Sequence, residues 1–142
     1  MKINNKKELY IQKIDLLYLI ESHIPVPESI YIKTKRSIIN NQNKFIKFTK
    51  PEDITFLNSI PWIIEYNDIK DLSIEIISQM INELYNKKEL LKSTIKPIND
   101  KEKLKVFLEI QTIELKIKSL QKILWYKKDN NRLNIPKKIK RK

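Results

Sequence analysis

The most regular pattern of apolar positions lies in the second half of the chain, where Val106, Ile110, Ile113, Ile117, Leu120 and Leu124 recur at steps of 4, 3, 4, 3 and 4 residues. Residues three and four apart share one face of a helix, so this spacing predicts a long helix with a single apolar seam. An earlier seam runs through Ile74, Ile77, Ile81, Leu84 and Leu91, with Lys88 in the remaining slot. Ser73 stands where an N-cap is needed, Glu75 suits the N-terminal dipole, and Leu72 is placed to staple against Ile77. Pro97 separates the two seams, and Asn99 with Glu102 three residues on marks the second start. Two seamed helices with a short connection predict an antiparallel helical hairpin. Leu104, Leu108 and Leu115 add a second stripe to the last helix, which therefore needs a contact beyond its hairpin partner.

In the first half, Tyr10, Ile14 and Leu17, flanked by Ile11 and Tyr18, predict an amphipathic helix over about residues 6–22, with Asn5 as N-cap and Glu8 completing a capping box. It has to end before Ile24-Pro25-Val26-Pro27, because each proline removes a backbone donor and drives the preceding residue into an extended conformation. Ile30-Tyr31-Ile32 and Lys44-Phe45-Ile46-Lys47-Phe48, on either side of Asn40-Asn41-Gln42-Asn43, read as a β-hairpin with an asparagine supplying any positive φ. A short helix starting at Thr49, with Pro51 in its first turn and Glu52 at the capping-box position, ends before Pro61. Pro61 to Tyr66 reads as a buried strand or extended segment, and Asn67-Asp68 as a turn. The expected fold is mainly α with minor β: a C-terminal antiparallel helical hairpin packed with an N-terminal helix and a small β-hairpin. Residues 1–127 form a single helical domain in this reading, and residues 128–142 a flexible basic tail.

Composition changes the picture through charge. The 142 residues carry a formal net charge of +12, yet they contain no Gly, Cys or Ala; Ile and Lys dominate, and Asn is frequent. That set follows the codons of an AT-rich genome, so part of the Lys excess reflects nucleotide bias. Its distribution is more telling: residues 1–50 hold ten basic and four acidic side chains, residues 51–126 eleven and twelve, and residues 127–142 eight and one. Charge loaded at the two ends points to an anionic partner. Without cysteine there is no disulfide, thiolate metal site or cysteine nucleophile. The longest apolar run, Leu16 to Ile20, is far short of the ~20 residues that span a bilayer, and the N-terminus lacks a signal-type apolar core. A cytoplasmic protein with no membrane partner is expected.

Catalytic constellations are scarce. A chain without glycine has no phosphate-cradling loop, no dinucleotide fingerprint and no ordinary nucleophile elbow. His23 is the sole imidazole, which excludes a two-histidine metal site, and its place just past a helix end is structural. The pairs Glu52-Asp53, Asp68 with Asp71, and Glu109 with Glu114 read as caps and solvated faces; a divalent-metal nuclease would need such acids to converge. No catalytic residue, metal site or cofactor is expected. The candidate nucleic-acid contacts are Lys127, Lys128, Arg132, Lys137, Lys138, Lys140, Arg141 and Lys142 in the tail, with Trp125 and Tyr126 at its root to stack on unpaired bases, and a second cluster of Lys33, Lys35 and Arg36. The competing readings are that both aromatics pack at the hairpin end and that the lysines protect an edge strand. A structural or adaptor protein is the alternative function, phage- or mobile-element-encoded, with the seams contacting a protein partner or forming a homo-oligomer.

The stretch Ile60-Pro61-Trp62-Ile63-Ile64-Glu65-Tyr66-Asn67-Asp68-Ile69-Lys70-Asp71-Leu72-Ser73, with Leu120-Gln121-Lys122-Ile123-Leu124-Trp125-Tyr126-Lys127, resembles segments of uncharacterised small proteins of low-GC Gram-positive bacteria. The resemblance covers about a sixth of the chain. It implies a bacterial or phage origin and carries no functional residues.

Overall fold

A computed structural model describes residues 8–39, 44–94 and 99–129. The expected Asn5 cap, the asparagine turn at 40–43, Pro97 and the tail from 130 onward, with Arg132, Lys137, Lys138, Lys140, Arg141 and Lys142, lie outside the described residues. The order of elements is β1 (Leu9–Gln12), α1 (Lys13–Glu21), α2 (Glu28–Ile39), β2 (Phe45–Phe48), α3 (Pro51–Asn58), a single 3-10 turn at Tyr66–Asp68, α4 (Ile74–Ser93) and α5 (Asp100–Lys128).

The mainly helical class and the C-terminal hairpin are as expected. α4 begins where Ser73 Oγ accepts the Ile76 N–H at 3.1 Å, and α5 where Asn99 Oδ1 accepts the Glu102 N–H at 2.9 Å. Each cap satisfies a donor that the first turn leaves without an intrahelical partner. Ile77 and Ile81 of α4 close against Ile113, Ile117 and Leu120 of α5, with Leu72, Leu84 and Leu91 packed around them. Lys88, the charged member of the α4 seam, reaches Glu114 at 3.6 Å and lies over the Tyr85 ring.

The first half departs from its sequence pattern. The single helix expected over residues 6–22 is a strand followed directly by a helix, because Leu9–Gln12 pairs antiparallel with Phe45–Phe48 in the register Leu9 to Phe48, Tyr10 to Lys47, Ile11 to Ile46 and Gln12 to Phe45. The minor β component is thus a two-stranded sheet of β1 and β2. It is not a hairpin of residues 30–49. Paired side chains share a face. Leu9, Ile11, Ile46 and Phe48 point into a cluster with Leu16, Leu19, Ile30 and Leu57, whereas Tyr10 and Phe45 point into the α4–α5 core. The sheet is a septum between two apolar clusters.

Ile30-Tyr31-Ile32, expected as a strand, lies in α2. Its burial follows a step of four, with Ile30 and Thr34 inside and Tyr31 and Ile32 exposed, so packing overrides β propensity. The helix starts beside Pro27, whose carbonyl accepts the Ile30 and Tyr31 N–H groups. α3 starts two residues later than Thr49 suggested, with Pro51 in its first turn and no side-chain cap. α1 ends in a Schellman motif: His23 takes φ 61°, its N–H bonds to Ile20 O, and the Ile24 N–H bonds to Leu19 O. Glycine usually holds that left-handed position; in a chain without one, histidine does.

Thr34 is fully buried, and its Oγ1 has no hydrogen-bond partner. An unsatisfied buried hydroxyl costs roughly 1–3 kcal/mol. Thr34→Val, which keeps the shape and removes the hydroxyl, is expected to raise unfolding free energy by about 1 kcal/mol in urea titrations. A loss of stability would mean that the hydroxyl is bonded.

Candidate functional site

Three polar residues meet behind α1. Ser119 of α5 donates from Oγ to Asp15 Oδ2 at 2.9 Å, while Gln12 Nε2, at the end of β1, donates to Ser119 Oγ at 2.6 Å and to Ser119 O at 3.1 Å. All three are buried, at 0% exposure for Gln12, 6% for Asp15 and 2% for Ser119, and Gln12 Oε1 has no partner. Burial pushes the Asp15 carboxyl up to about 7, against the opposing pull of the Ser119 hydroxyl that donates to it and of the Gln12 amide nearby. Such a network costs stability in a core that apolar side chains would fill, which makes it a candidate for function.

Asp15 and Ser119 form the floor of a groove of about 470 Å³ between α1, the Trp62 segment and α5. Ile14, Tyr18, Trp62 and Leu115 make its walls, and Lys118, Gln121, Lys122 and Trp125 its outer edge. The Tyr18 and Trp62 rings meet edge-on with centroids 5.5 Å apart. Trp125 is 43% exposed, and Lys122 Nζ lies 5.1 Å from its ring centroid. Beyond the indole a second groove, of about 440 Å³, is lined by Lys13, Ile14, Leu17, Lys44, Lys122, Trp125 and Tyr126. Lys13 donates to Ser37 O at 2.8 Å, and burial followed by the nearby charge of Lys44 lowers its pKa. An anion beside these lysines would offset the cost that burial and Lys44 impose on the Lys13 charge.

The residues singled out from sequence divide. Trp125 reaches the surface, but Tyr126 is a correction: its ring is 4% exposed and packs on Phe45 with centroids 5.9 Å apart, so it has no face for a base. Burial, then the charge of Asp15, raises its pKa. Lys127 donates to Lys70 O at 2.6 Å, which ties the end of α5 to the segment before α4; Lys128 is exposed. Lys33, Lys35 and Arg36 lie on the exposed side of α2, not on a hairpin. Lys33 rests over the Phe48 ring at 5.2 Å and Lys35 over Tyr31 at 5.5 Å. None of the three lines either groove.

Sequence reasoning missed Asp15, Ser119, Lys118 and Lys122. Two signals were available: Asp15 interrupts an otherwise apolar stretch, and Lys118, Lys122 and Trp125 fall at helical steps of four and three; Ser119, between Lys118 and Leu120, carries no such signal. Among the described residues, no group of three or more His, Cys, Asp or Glu is placed to hold a metal ion, and no helix is long and apolar enough to cross a membrane. Comparison of the chain with family models, curated proteins and solved structures finds no match.

Asp15 gives the fold a testable pH dependence. Its carboxyl titrates near 3.8 when unfolded and near 7 when folded, so between those values the native state binds the extra proton. Stability is therefore full below the unfolded value and falls as pH rises towards 7, by about 4 kcal/mol in all. Asp15→Asn should remove that decline, matching the parent at pH 4 and exceeding it at pH 8 in urea unfolding. Parallel profiles for the two proteins would contradict a proton held at Asp15.

Proposed function

We propose that the protein is a non-enzymatic binder of single-stranded nucleic acid, with the strand crossing the exposed indole of Trp125. The observation that carries this reading is an aromatic face at the surface, flanked by Lys118 and Lys122 and standing at the root of the basic segment 127–142. A single exposed indole stacks on a base only when that base is unpaired, and the lysines one and two turns before it on α5 suit the neighbouring phosphates. The α2 cluster of Lys33, Lys35 and Arg36, which lines neither groove, contributes charge without base contact.

Fluorescence anisotropy with labelled single-stranded DNA, single-stranded RNA and duplex DNA across a salt series tests it. A chain ending at Asp129 is the informative partner to the full chain, because it keeps the Asp129 N–H bond to Trp125 O and the Lys127 contact with Lys70. If Arg132, Lys137, Lys138, Lys140, Arg141 and Lys142 each neutralise a phosphate, the slope of log K against log salt becomes shallower by roughly 4 on a single strand when they are removed. Single strands should bind more tightly than duplex. Absence of binding at low salt would overturn the reading.

A second reading, an adaptor acting through helical contacts, is favoured by one specific feature. Leu115 packs against the N-terminal cluster, but Leu104 and Leu108 of the same α5 stripe are 59% and 55% exposed, and Phe107 beside them 49%. It predicts a concentration-dependent dimer in sedimentation velocity that Leu104→Glu with Leu108→Glu abolishes; a monomer at every concentration would count against it.

A further inference from the structure

The two grooves that meet at Trp125 share Ile14 and Lys122 but differ in what lies at their ends. One ends on hydrogen-bonding groups, the Asp15 carboxyl and Ser119, between aromatic walls; the other is edged by Lys13, Lys44 and Lys122. The complement of this arrangement is a flat ring with N–H groups on one edge and an anion a few atoms away. A nucleobase with its phosphate has that form. The volume of the first groove, about 470 Å³, falls within the range of small-ligand pockets.

We propose that the Asp15 groove takes one unpaired base, stacked on Trp125 and held by its exocyclic amino group at Asp15, while the adjoining phosphate sits with Lys13, Lys44 and Lys122 across the indole. The inference rests on the single-strand reading above and deepens it by assigning base selectivity. Ser119 Oγ already donates to Asp15, so the carboxylate is oriented before a ligand arrives. A carboxylate accepts from the amino groups of cytosine, adenine and guanine. Thymine and uracil present only a ring N–H set between two carbonyl oxygens, which a carboxylate repels. When protonated, the carboxyl donates as well as accepts and pairs with the N3 and N4 edge of cytosine or the N3 and O4 edge of thymine alike, so the preference for amino bases belongs to the ionised carboxylate.

The experiment compares ten-residue oligo(dC) and oligo(dT), both end-labelled, by anisotropy with the full chain at matched salt and at a pH of about 8.5, where the Asp15 carboxyl is ionised. Oligo(dC) is expected to bind at least about 5-fold more tightly. Asp15→Leu should abolish that preference, and so should Asp15→Asn, whose carboxamide both accepts and donates and therefore pairs with either pyrimidine. Trp125→Ala should weaken both oligonucleotides by at least about 5-fold with the salt slope unchanged. Thermal melting confirms that each variant folds. Should Asp15→Leu fail to fold, quenching of tryptophan fluorescence by dCMP and dTMP in the full chain decides instead. Equal affinity for the two pyrimidines, or a preference that survives Asp15→Leu, overturns the base pocket and leaves the polyanion reading standing. No binding of either oligonucleotide at low salt overturns both.

Discussion

The fold depends on the pairing of β1 with β2. A four-residue pair is too short to persist in water unless its faces are buried, and here both are. One face carries Leu9, Ile11, Ile46 and Phe48 into the cluster shared with α1, α2 and α3; the other carries Tyr10 and Phe45 to the α4–α5 hairpin. The free edge of β1 is blunted rather than left open: the Tyr10 N–H donates to Glu65 Oε2 at 2.8 Å, and Ile11 bridges to the Glu65 backbone. α1 leaves β1 without a turn, since Gln12 is at once the last strand residue and the helix N-cap, with ψ 133°. The direction of α1 is therefore set by the sheet.

That direction creates the site. Asp15 lies in the first turn of α1, three residues beyond Gln12, and both reach Ser119 of α5. The polar network thus joins the strand, the helix that follows it and the long helix of the hairpin. Trp62 contributes from the segment before Glu65, whose carboxylate in turn holds β1. Floor, walls and outer edge of the groove come from parts of the chain more than a hundred residues apart, fixed relative to one another by a core with few alternatives.

The hairpin was legible because its helices run for 20 and 29 residues with one seam along each, and because Ser73 and Asn99 are unambiguous caps. The N-terminal half was not, for a physical reason. A strand buried on both faces is a continuous apolar run, and over Leu9–Gln12 it is indistinguishable from the first turn of the helix it precedes. Ile30-Tyr31-Ile32 misled in the opposite sense, as β-branched and aromatic residues whose burial obeys helical spacing. At the site, Trp125 was visible as an aromatic beside a basic run, but Asp15, which lines the same groove, sits 110 positions away and is joined to it only by tertiary structure. Tyr126 was misjudged because neighbouring helical residues point some 100° apart, which puts one ring outside and the next inside.

Amide hydrogen exchange tests the central dependence most directly. The Tyr10 N–H, bonded to Glu65, and the Lys13 N–H, bonded to Lys44 O at 2.9 Å, anchor the two ends of β1. If the sheet is the septum that unites the two clusters, both amides open only with global unfolding and exchange as slowly as those of Leu120 and Ile123 in α5. Exchange at these two amides far faster than in α5 would show the strand opening on its own, and would contradict a fold organised around it.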